Sequence, residues 1–459
     1  MPLVAGVDSS TSACKVEVRD ADTGELVAAG RAPHPPTTPP RSEQHPSGWW
    51  SAFEAAFAAT GRRVDAIAIA GQQHGLVVTG TDGEPLRPAK LWNDTESAPD
   101  AAALVAELGA EAWATACGSV PVPSFTITKL RWLRRTEPDV FARVAAVSLP
   151  HDWLTTRLTG AHTTDRGDAS GTGWWSPAEE RYRFDLLALV DDGTDWPALV
   201  PSVAAPDAAV GEWRGAVVGP GTGDNMAAAL GLALRPGDLA LSLGTSGTAF
   251  TVATTPAADP TGTVAGFADA TGRFLPLVCT LNATKVTAAV GRLLGVDDAG
   301  LDALALAAPA GAGGVVVVPH FDGERTPNRP DATGVVSGLR SDVSREQLAR
   351  AAVEGVVCNL LAGADHLPAR HGRLVLVGGG ARSAACRQIV ADLAGATVVV
   401  PDDDELVARG AAVQAAAVLT GASLDAVSEA WGLGASRTVE PDGRVDAAAV
   451  RAAYAAQAQ

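Results

Sequence analysis

A pattern of apolar strand, short turn of small polar residues and second apolar strand occurs twice in this chain, at residues 4–18 and 239–252. The two turns share the pair Thr-Ser, at Thr11-Ser12 and at Thr245-Ser246. Two strands joined by such a turn predict a β-hairpin with a polar tip. A tip of this kind directs several backbone N–H groups at one point, which is the arrangement that binds a phosphate chain. The duplication therefore predicts a two-domain enzyme that uses ATP, with one hairpin from each domain holding the nucleotide.

The candidate phosphate contacts are the residues of the two tips. Gly244 allows the backbone to approach an anion closely, and the hydroxyl groups of both tips are additional donors. Two ordinary Ser/Thr-rich turns are the alternative for either tip alone, and the pairing of the tips favours the phosphate interpretation. The candidate ATP contacts in the tips are Ser10, Thr11, Ser12, Gly244, Thr245 and Ser246.

Asp8 ends the first strand of the first hairpin, at the position that Ser242 has in the second. A carboxylate beside phosphates requires a cation between them, and Mg²⁺ is bound through one or two carboxylates together with phosphate oxygens. The pattern thus predicts a magnesium position at Asp8, and a turn aspartate bonded to its own backbone is the alternative. Lys15, on the second strand of the hairpin, is a candidate phosphate contact or a solvated strand residue.

Asp224 follows Gly221-Thr222-Gly223 and precedes a helical run, so it is either the N-cap of that helix or a functional carboxylate. In the functional interpretation it accepts the proton of a hydroxyl group while the hydroxyl oxygen attacks the γ-phosphate of ATP. The spacing alone favours neither interpretation. Asp224 is also a candidate ligand of the magnesium ion through a water molecule.

Two segments contain candidates for binding a sugar. Gln72-Gln73-His74-Gly75 follows the predicted buried strand 64–70, and α/β folds bind ligands where such strands end. A lone histidine such as His74 is more often a structural hydrogen-bonding group than a catalyst. Trp92-Asn93-Asp94 offers an aromatic face beside polar groups, as sugar sites often do, and a loop anchored by one buried tryptophan is the alternative.

Strand and helix patterns alternate in both halves of the 459-residue chain, which predicts an α/β fold with two similar domains and a cleft between them. We place the boundary at residue 222, which gives domains 1–222 and 223–459. Hydrophobic periodicity predicts one helix over 98–117 and another over 126–136. Gly378-Gly379-Gly380 joins a strand to a helix, but no Gly-Lys-Ser/Thr follows, so this segment is not a Walker phosphate loop.

The formal net charge of −17 argues against binding to nucleic acid or to an anionic membrane. The five cysteines are scattered and form no Cys-x-x-Cys pair, so neither a zinc site nor a disulfide framework is predicted. The N-terminus has no basic run followed by an apolar stretch, so no signal peptide is predicted. We therefore expect a cytoplasmic enzyme that acts on small molecules.

Taken in order, these segments resemble the motifs of the FGGY family of carbohydrate kinases, and within it those of the xylulokinases. The resemblance covers nearly the whole chain. The segments that match are 8–12, 43–50, 71–75, 91–94, 150–160, 165–172, 223–225, 242–247, 323–327, 378–383 and 405–412.

The resemblance implies two actin-like (ribonuclease H-like) domains that close over a sugar, ATP and Mg²⁺. It implies that Asp224 is the general base and that Asp8 positions the metal and the phosphates. The reaction implied is phosphorylation of the terminal 5-hydroxyl of D-xylulose, and homodimers are common in the family. The implied sugar contacts are Gln73, His74, Trp92, Asp224 and Asn225. The motif for adenosine implies further ATP contacts at Gly379, Gly380, Ala381 and Ser383.

Two positions depart from the family's motifs. Ser10 replaces a glycine of the first phosphate motif, and its Cβ narrows the conformations open to the turn. Gln73 replaces a methionine beside the sugar-site histidine. Another acceptor is therefore an open alternative: ribulose, sedoheptulose, glycerol or an alditol. A non-catalytic actin-like sensor of sugar or nucleotide is the alternative from a different class, although binding alone does not require a base at Asp224.

Overall fold

The computed structural model describes residues 1–368, 371–403, 405–434 and 436–459. Strands and helices alternate along these residues, as the α/β prediction requires. The strands are β1 (Leu3–Ser9), β2 (Ala13–Asp20), β3 (Leu26–Pro33), β4 (Glu43–Gln44), β5 (Ala66–Gly71), β6 (Val77–Thr79), β7 (Ala89–Lys90), β8 (Ala146–Ser148), β9 (Thr163–Asp165), β10 (Trp175–Ser176), β11 (Arg181–Tyr182), β12 (Ser202–Ala204), β13 (Gly211–Trp213), β14 (Ala216–Val218), β15 (Thr222–Gly223), β16 (Leu239–Leu243), β17 (Gly247–Thr251), β18 (Ala265–Ala268), β19 (Phe274–Thr280), β20 (Val316–Val318), β21 (Val335–Ser337), β22 (Leu374–Val377), β23 (Val398–Pro401) and β24 (Ser436–Val439).

The helices connect and cover these strands. They are α1 (Pro46–Thr60), α2 (Ala98–Leu108), α3 (Ala110–Cys117), α4 (Thr126–Thr136), α5 (Pro138–Phe141), α6 (Pro150–Thr159), α7 (Arg166–Ala169), α8 (Phe184–Ala188), α9 (Trp196–Leu199), α10 (Asp224–Gly231), α11 (Thr284–Leu294), α12 (Asp298–Ala307), α13 (Arg345–Ala364), α14 (Ala384–Ala394), α15 (Leu406–Thr420), α16 (Leu424–Ala430) and α17 (Ala447–Gln457), with 3₁₀ turns at Ala312–Gly314 and Gly379–Arg382.

The chain forms two compact units, and each is discontinuous in sequence. Unit 1 consists of Met1–Leu234, Thr254–Leu275 and Glu405–Gly434. Unit 2 consists of Arg235–Ala253, Pro276–Asp404 and Ala435–Gln459. The sequence-based domains 1–222 and 223–459 are continuous segments, whereas in the structure the late helices α15 and α16 lie within unit 1. Contact with a distant part of the chain, which no local pattern reveals, produces this interleaving.

β1 lies in the middle of the unit 1 sheet, antiparallel to β2 and parallel to β5. The strand order is β13-β14-β5-β1-β2-β3, and β15 also pairs with β5. The register brings Asp8 level with Ala70, and Ala70 level with Thr222. Because β1, β5 and β15 are parallel, their carboxyl ends meet at one edge of the sheet, where ligands bind in folds of this class.

Unit 2 repeats this local arrangement around its own hairpin. β16 is antiparallel to β17 and parallel to β22. From β19 onward the strand order is β19-β17-β16-β22-β23-β24. Both predicted hairpins are therefore present, and each lies beside a parallel strand that ends at the same edge as its tip.

The segment 98–117 is helical as predicted, but it forms two helices and not one. Gly109, with φ 89° and ψ 144°, separates α2 from α3. Its backbone N–H donates to Val105 over 2.8 Å, so the hydrogen bonding of α2 ends there. The apolar period continues on both sides of the break, which is why the sequence pattern indicates a single helix. The second predicted helix, α4, has the bounds that the periodicity indicates.

α15 packs against β1 and α10 at backbone distance. A Cβ placed on Gly6 would lie 1.9 Å from the carbonyl oxygen of Ala408, and one on Gly410 would lie 1.9 Å from that of Ala227. The glycine in the segment 405–412 thus allows close helix packing. Among the described residues no single helix is long and apolar enough to cross a bilayer. α15 and α16, bent by 110°, meet that test only as a pair and by length and composition alone.

Candidate active site

Asp8 and Lys15 face each other across the first hairpin. Lys15 Nζ lies 3.4 Å from Asp8 Oδ2 and 2.7 Å from Glu405 Oε2, next to the start of α15. Asp8 is 4% exposed, and its Oδ1 has no hydrogen-bond partner among the described residues. Burial raises the pKa of Asp8 to about 6, although Lys15 opposes the shift. The site therefore contains a buried carboxylate with one oxygen open to a cation.

Side chains hold the tip of the first hairpin. Trp92 Nε1 donates to Thr11 Oγ1 over 2.9 Å, and Thr11 Oγ1 donates to Gln72 Oε1 over 3.1 Å. Ser10 Oγ donates to the carbonyl of Ala13 over 2.9 Å. Ser10 is not among the residues with positive φ, so this turn does not need the conformational freedom of the family's glycine. The Ser10 departure is accommodated by a local hydrogen bond.

Asp224 is the first residue of α10 and is not its N-cap. The N-cap is Gly223, which makes no side-chain cap. Asp224 Oδ1 instead accepts from the backbone N–H and the side-chain amide of Asn225, over 2.8 and 3.0 Å. The same amide donates to Gln73 Oε1 over 2.7 Å. Gln73 is 4% exposed, and its Nε2 has no partner among the described residues. These three side chains form one connected polar row.

The pKa of Asp224 is near neutrality. Burial raises this pKa to about 7, and the carboxylates of Asp8 and Asp168 contribute to the increase. The parallel pairing of β1, β5 and β15 explains why Asp8 lies close enough to act on it. A carboxylate with such a pKa is well matched to accept a proton from a substrate hydroxyl at neutral pH.

His74 is held in a left-handed backbone conformation just beyond β5, with φ 65°. Its Nδ1 lies 2.8 Å from the carbonyl oxygen of Gly171. Its ring centroid is 5.0 Å from that of Phe125 and 5.5 Å from that of Phe267. A constrained backbone of this kind at the end of a strand is typical of ligand sites. The ring is thus fixed by a backbone carbonyl and two aromatic neighbours.

The structure brings the second hairpin tip next to the glycine segment of unit 2. Gly244 N donates to the carbonyl of Ser246 over 3.0 Å. Thr245 at this tip is exposed, like Ser12 at the first. A Cβ on Gly378 would lie 2.8 Å from the carbonyl oxygen of Leu243, because β22 ends beside β16.

The remaining predicted ATP contacts follow directly in the chain. Gly379, Gly380 and Ala381 lie in the 3₁₀ turn after β22, and a Cβ on Gly379 would meet no atom within 4 Å. Ser383 Oγ accepts from the backbone N–H of Cys386 over 2.9 Å and also contacts Asp302. The hydroxyl of Ser383 thus caps α14, whereas Gly379 offers backbone beside open space.

A buried histidine with three carboxylates lies in unit 1 against Gly71 and Gly221, and sequence reasoning gave none of the four a role. His151, Asp152, Asp165 and Asp168 are each at most 2% exposed. His151 Nδ1 donates to Asp168 Oδ2 over 2.7 Å. His151 Nε2 lies 3.2 Å from Asp152 Oδ1 and 3.7 Å from Asp165 Oδ1. Burial lowers the pKa of His151, but the carboxylates outweigh it and raise the pKa to about 9. The available signal was the pair His151-Asp152 within the segment 150–160, which resembles a family motif.

An acidic trio elsewhere in unit 1 resembles a metal site by spacing alone. Carboxylate oxygens of Glu43, Asp94 and Glu96 lie within 4.8 Å of one another. Lys90 Nζ lies among them, at 3.1, 3.0 and 2.5 Å respectively. It also lies 3.9 Å from the ring centroid of Trp132. The trio therefore holds an ammonium group and is not a candidate metal centre.

Comparison with known proteins gives consistent matches along the chain. The models of the FGGY family of carbohydrate kinases match with the N-terminal domain over residues 3–231 and the C-terminal domain over 239–419. Xylulose kinases from Streptomyces coelicolor and Streptomyces rubiginosus are each 48% identical, over 96% of this chain and 92% of theirs. The solved xylulose kinase of Bifidobacterium adolescentis is 41% identical with a TM-score of 0.88, over 100% of this chain and 99% of its own. These matches confirm the predicted family and its two-domain α/β fold.

Proposed function

The chain belongs to the FGGY family of carbohydrate kinases, and from that premise we propose that it transfers the γ-phosphoryl group of ATP to the terminal 5-hydroxyl of D-xylulose. The choice of D-xylulose is supported by the identity with the two Streptomyces xylulose kinases. The chemistry is supported by the state of Asp224. Its pKa is raised to about 7, and its carboxylate accepts a hydrogen bond from Asn225, which in turn donates to Gln73.

Asp224 is the general base in this proposal. The 5-oxygen of the sugar attacks the γ-phosphorus while the bond from that phosphorus to the β,γ-bridging oxygen breaks and ADP leaves. The hydroxyl proton passes to the Asp224 carboxylate. Asn225 orients this carboxylate through its two donations to Oδ1, so that proton transfer needs no rearrangement of the side chain.

Asp8 is the candidate ligand for Mg²⁺, and Asp224 contributes through a water molecule. The fit rests on Asp8 Oδ1, which is buried and has no partner among the described residues. Mg²⁺ neutralises charge on the phosphate oxygens when it is bound. Lys15 and Glu405 flank the carboxylate, and Lys15 both keeps Asp8 ionised and offers a cation to the phosphates.

The remaining sugar and ATP contacts are assigned according to the two sequence-based domains. Residues 1–222 bind the sugar and carry the first phosphate motif, and residues 223–459 bind ATP. The sugar contacts are Gln73, His74, Trp92, Asp224 and Asn225. The ATP contacts are Ser10, Thr11, Ser12 and Lys15 from the first hairpin, and Gly244, Thr245, Ser246, Gly379, Gly380, Ala381 and Ser383 from the second half.

The proposal is tested by ADP release with Mg²⁺-ATP and a panel of D-xylulose, D-ribulose, sedoheptulose, glycerol, xylitol and no sugar. We expect the highest kcat/KM with D-xylulose. Asp224→Asn should lower kcat by orders of magnitude while D-xylulose still binds. Asp192→Asn, a variant of an acidic surface residue outside the site, is the matched control and should keep wild-type turnover. Wild-type turnover in Asp224→Asn would contradict the role of the base.

A second acceptor class is favoured by one observation. Gln73 Nε2 is buried without a partner among the described residues, so it offers a donor for a substrate hydroxyl where the xylulokinase motif has methionine. A maximum of kcat/KM with another ketose or a polyol would keep the mechanism and replace the substrate. A rate of ADP release that is the same with every sugar and without sugar would favour the non-catalytic sensor. The cytoplasmic location and the homodimer stay predictions.

A further inference from the structure

His151 packs between two backbone segments that carry candidate site residues. Gly71 shortly precedes Gln73, and Gly221 shortly precedes Asp224. A Cβ on Gly221 would lie 2.8 Å from His151 Cδ2, and one on Gly71 would lie 3.0 Å from His151 Cβ. Both segments therefore have glycine where the histidine touches them. Gly221 faces the imidazole ring, and Gly71 faces the Cβ and backbone of the same residue.

The ring is also connected to Asp224 through side chains. His151 Nδ1 donates to Asp168 in α7 over 2.7 Å. Asp165 caps α7 by accepting from the backbone N–H of Asp168 over 3.0 Å. Asp165 Oδ2 accepts from Thr222 Oγ1 over 2.7 Å. Thr222 lies in β15, and Asp224 directly follows the last residue of this strand. An unbroken series of contacts thus runs from the histidine to the segment that carries the proposed base.

A second series of contacts leads from α7 to the sugar side of the site. Gly171 follows α7 in the chain, and its backbone N–H donates to the carbonyl of Asp168 over 2.9 Å. The carbonyl of Gly171 lies 2.8 Å from His74 Nδ1. A Cβ on Gly171 would lie 2.5 Å from His74 Cε1. The position of α7 therefore sets the position of the His74 ring.

We propose that His151 is a positioning residue for phosphoryl transfer: as a buried cation it holds α7 through Asp168, and through α7 it orients both Asp224 and His74. The inference rests on the proposed roles of those two residues. Its charge matters because the carboxylates of Asp152, Asp165 and Asp168 are buried within 3.7 Å of the ring, and buried negative charges without a neighbouring cation are costly. A neutral residue would leave them to repel one another and shift α7.

The test compares His151→Gln, which removes the charge, with His162→Gln as the matched control. His162 is half-buried in the same unit and contacts Ser148 Oγ at 3.0 Å. We expect His151→Gln to lower kcat about 100-fold, the loss that an ångström-scale misplacement causes, with KM for ATP unchanged. His162→Gln should keep kcat within about twofold. Equal kcat values for the two variants would overturn the proposal.

Two further variants separate positioning from general loss of folding. His151→Lys keeps a cation and should recover at least tenfold of the lost kcat, whereas a role in packing alone predicts no recovery. Asp168→Asn removes the partner, and the double variant His151→Gln/Asp168→Asn should be no worse than the poorer single variant, because the two act through one contact. Additive losses, or a wild-type kcat in the folded fraction of His151→Gln, would contradict the inference.

Sugar binding without nucleotide distinguishes this inference from the proposed base. D-xylulose affinity by calorimetry should fall about tenfold in His151→Gln, because His74 loses its support, and should be kept in Asp224→Asn. If Asp224→Asn retains turnover, the role of the base fails while the sugar-binding result still tests His151. If His151→Gln binds D-xylulose as tightly as wild type does, the positioning of His74 is refuted whatever Asp224 does.

Discussion

In the first hairpin the second-to-last register pair before the tip is Asp8 opposite Lys15, whereas in the second hairpin it is Ser242 opposite Thr248. The neighbouring strands are arranged alike, since β1 is parallel to β5 and β16 to β22. The same backbone arrangement therefore carries a partly buried ion pair in one unit and two small hydroxyl groups in the other.

The threonines at the two tips also differ in their contacts. Thr11 at the first tip is bonded to Trp92 and Gln72, whereas Thr245 at the second tip is exposed. The first tip is thus held by bonded side chains beside a charged pair, whereas the second has an exposed threonine beside a glycine. Duplication of a backbone motif does not duplicate its chemistry, and paired substitutions in the two hairpins should give unequal effects.

The largest difference is expected at the register pair itself. Asp8→Asn should lower kcat by roughly 100- to 1,000-fold, because it removes the carboxylate that we propose positions Mg²⁺ and the phosphates. Ser242→Ala, its counterpart, should change kcat by less than about fivefold. Steady-state ADP release at saturating Mg²⁺-ATP measures both. Equal losses in the two variants would show that the hairpins contribute in the same way.

Substitution of a small residue at each tip should affect KM for ATP more in the second hairpin than in the first. A Cβ on Gly244 would lie 3.5 Å from the carbonyl oxygen of Ser246, so Gly244→Val can fold but crowds an approaching phosphate. We expect KM for ATP to rise about tenfold, the loss of one good hydrogen bond. Ser10→Gly should leave KM for ATP within about twofold. A larger effect of Ser10→Gly would mean that the first tip, too, binds mainly through its backbone.

Lys15 should control the pH dependence of the first hairpin. Lys15 lowers the pKa of Asp8, which burial has raised to about 6. Lys15→Met removes this effect, so the pKa of Asp8 rises and the carboxylate is protonated at a higher pH. On the acidic side kcat/KM should first fall as Asp224, with a pKa of about 7, is protonated, and fall more steeply where Asp8 is protonated as well. This second break should move to higher pH in Lys15→Met and stay in place in Thr248→Val. An unchanged second break would show that Lys15 does not control the protonation of Asp8.

The smallest expected effect concerns stability. Thr11→Val removes the partner of Trp92 and of Gln72, and should lower the free energy of unfolding by about 1–2 kcal/mol. Thr245→Val alters an exposed residue and should change it by less than about 0.5 kcal/mol. Urea denaturation of both variants checks the difference. Similar values for the two would mean that the bonds of Thr11 do not stabilise the tip.

The local parts of this fold were predictable from the sequence. Both hairpins and α4 follow from short-range patterns of apolar and small residues. The break at Gly109 was missed because the apolar period continues across it. The spacing of residues could not show that Asp224 has a raised pKa, because this pKa depends on burial and on carboxylates from distant segments.

The candidate site was predictable where it follows strand ends and unpredictable where it depends on pairing across the chain. Gln73 and His74 follow β5, so the position of the strand was enough to nominate them. The contact of His151 with Asp168 joins two helices whose packing no local pattern shows. Glu405 reaches Lys15 from the far end of the sequence, and that contact required the fold itself.

The glycine contacts of α15 have a consequence for how this chain matures during translation. Gly6 in β1 rests against Ala408, so this strand is packed by a helix that is synthesised much later than the strand itself. Unit 1 cannot close its core while residues 406–420 are still being synthesised. Until then the face of β1 that α15 covers stays open.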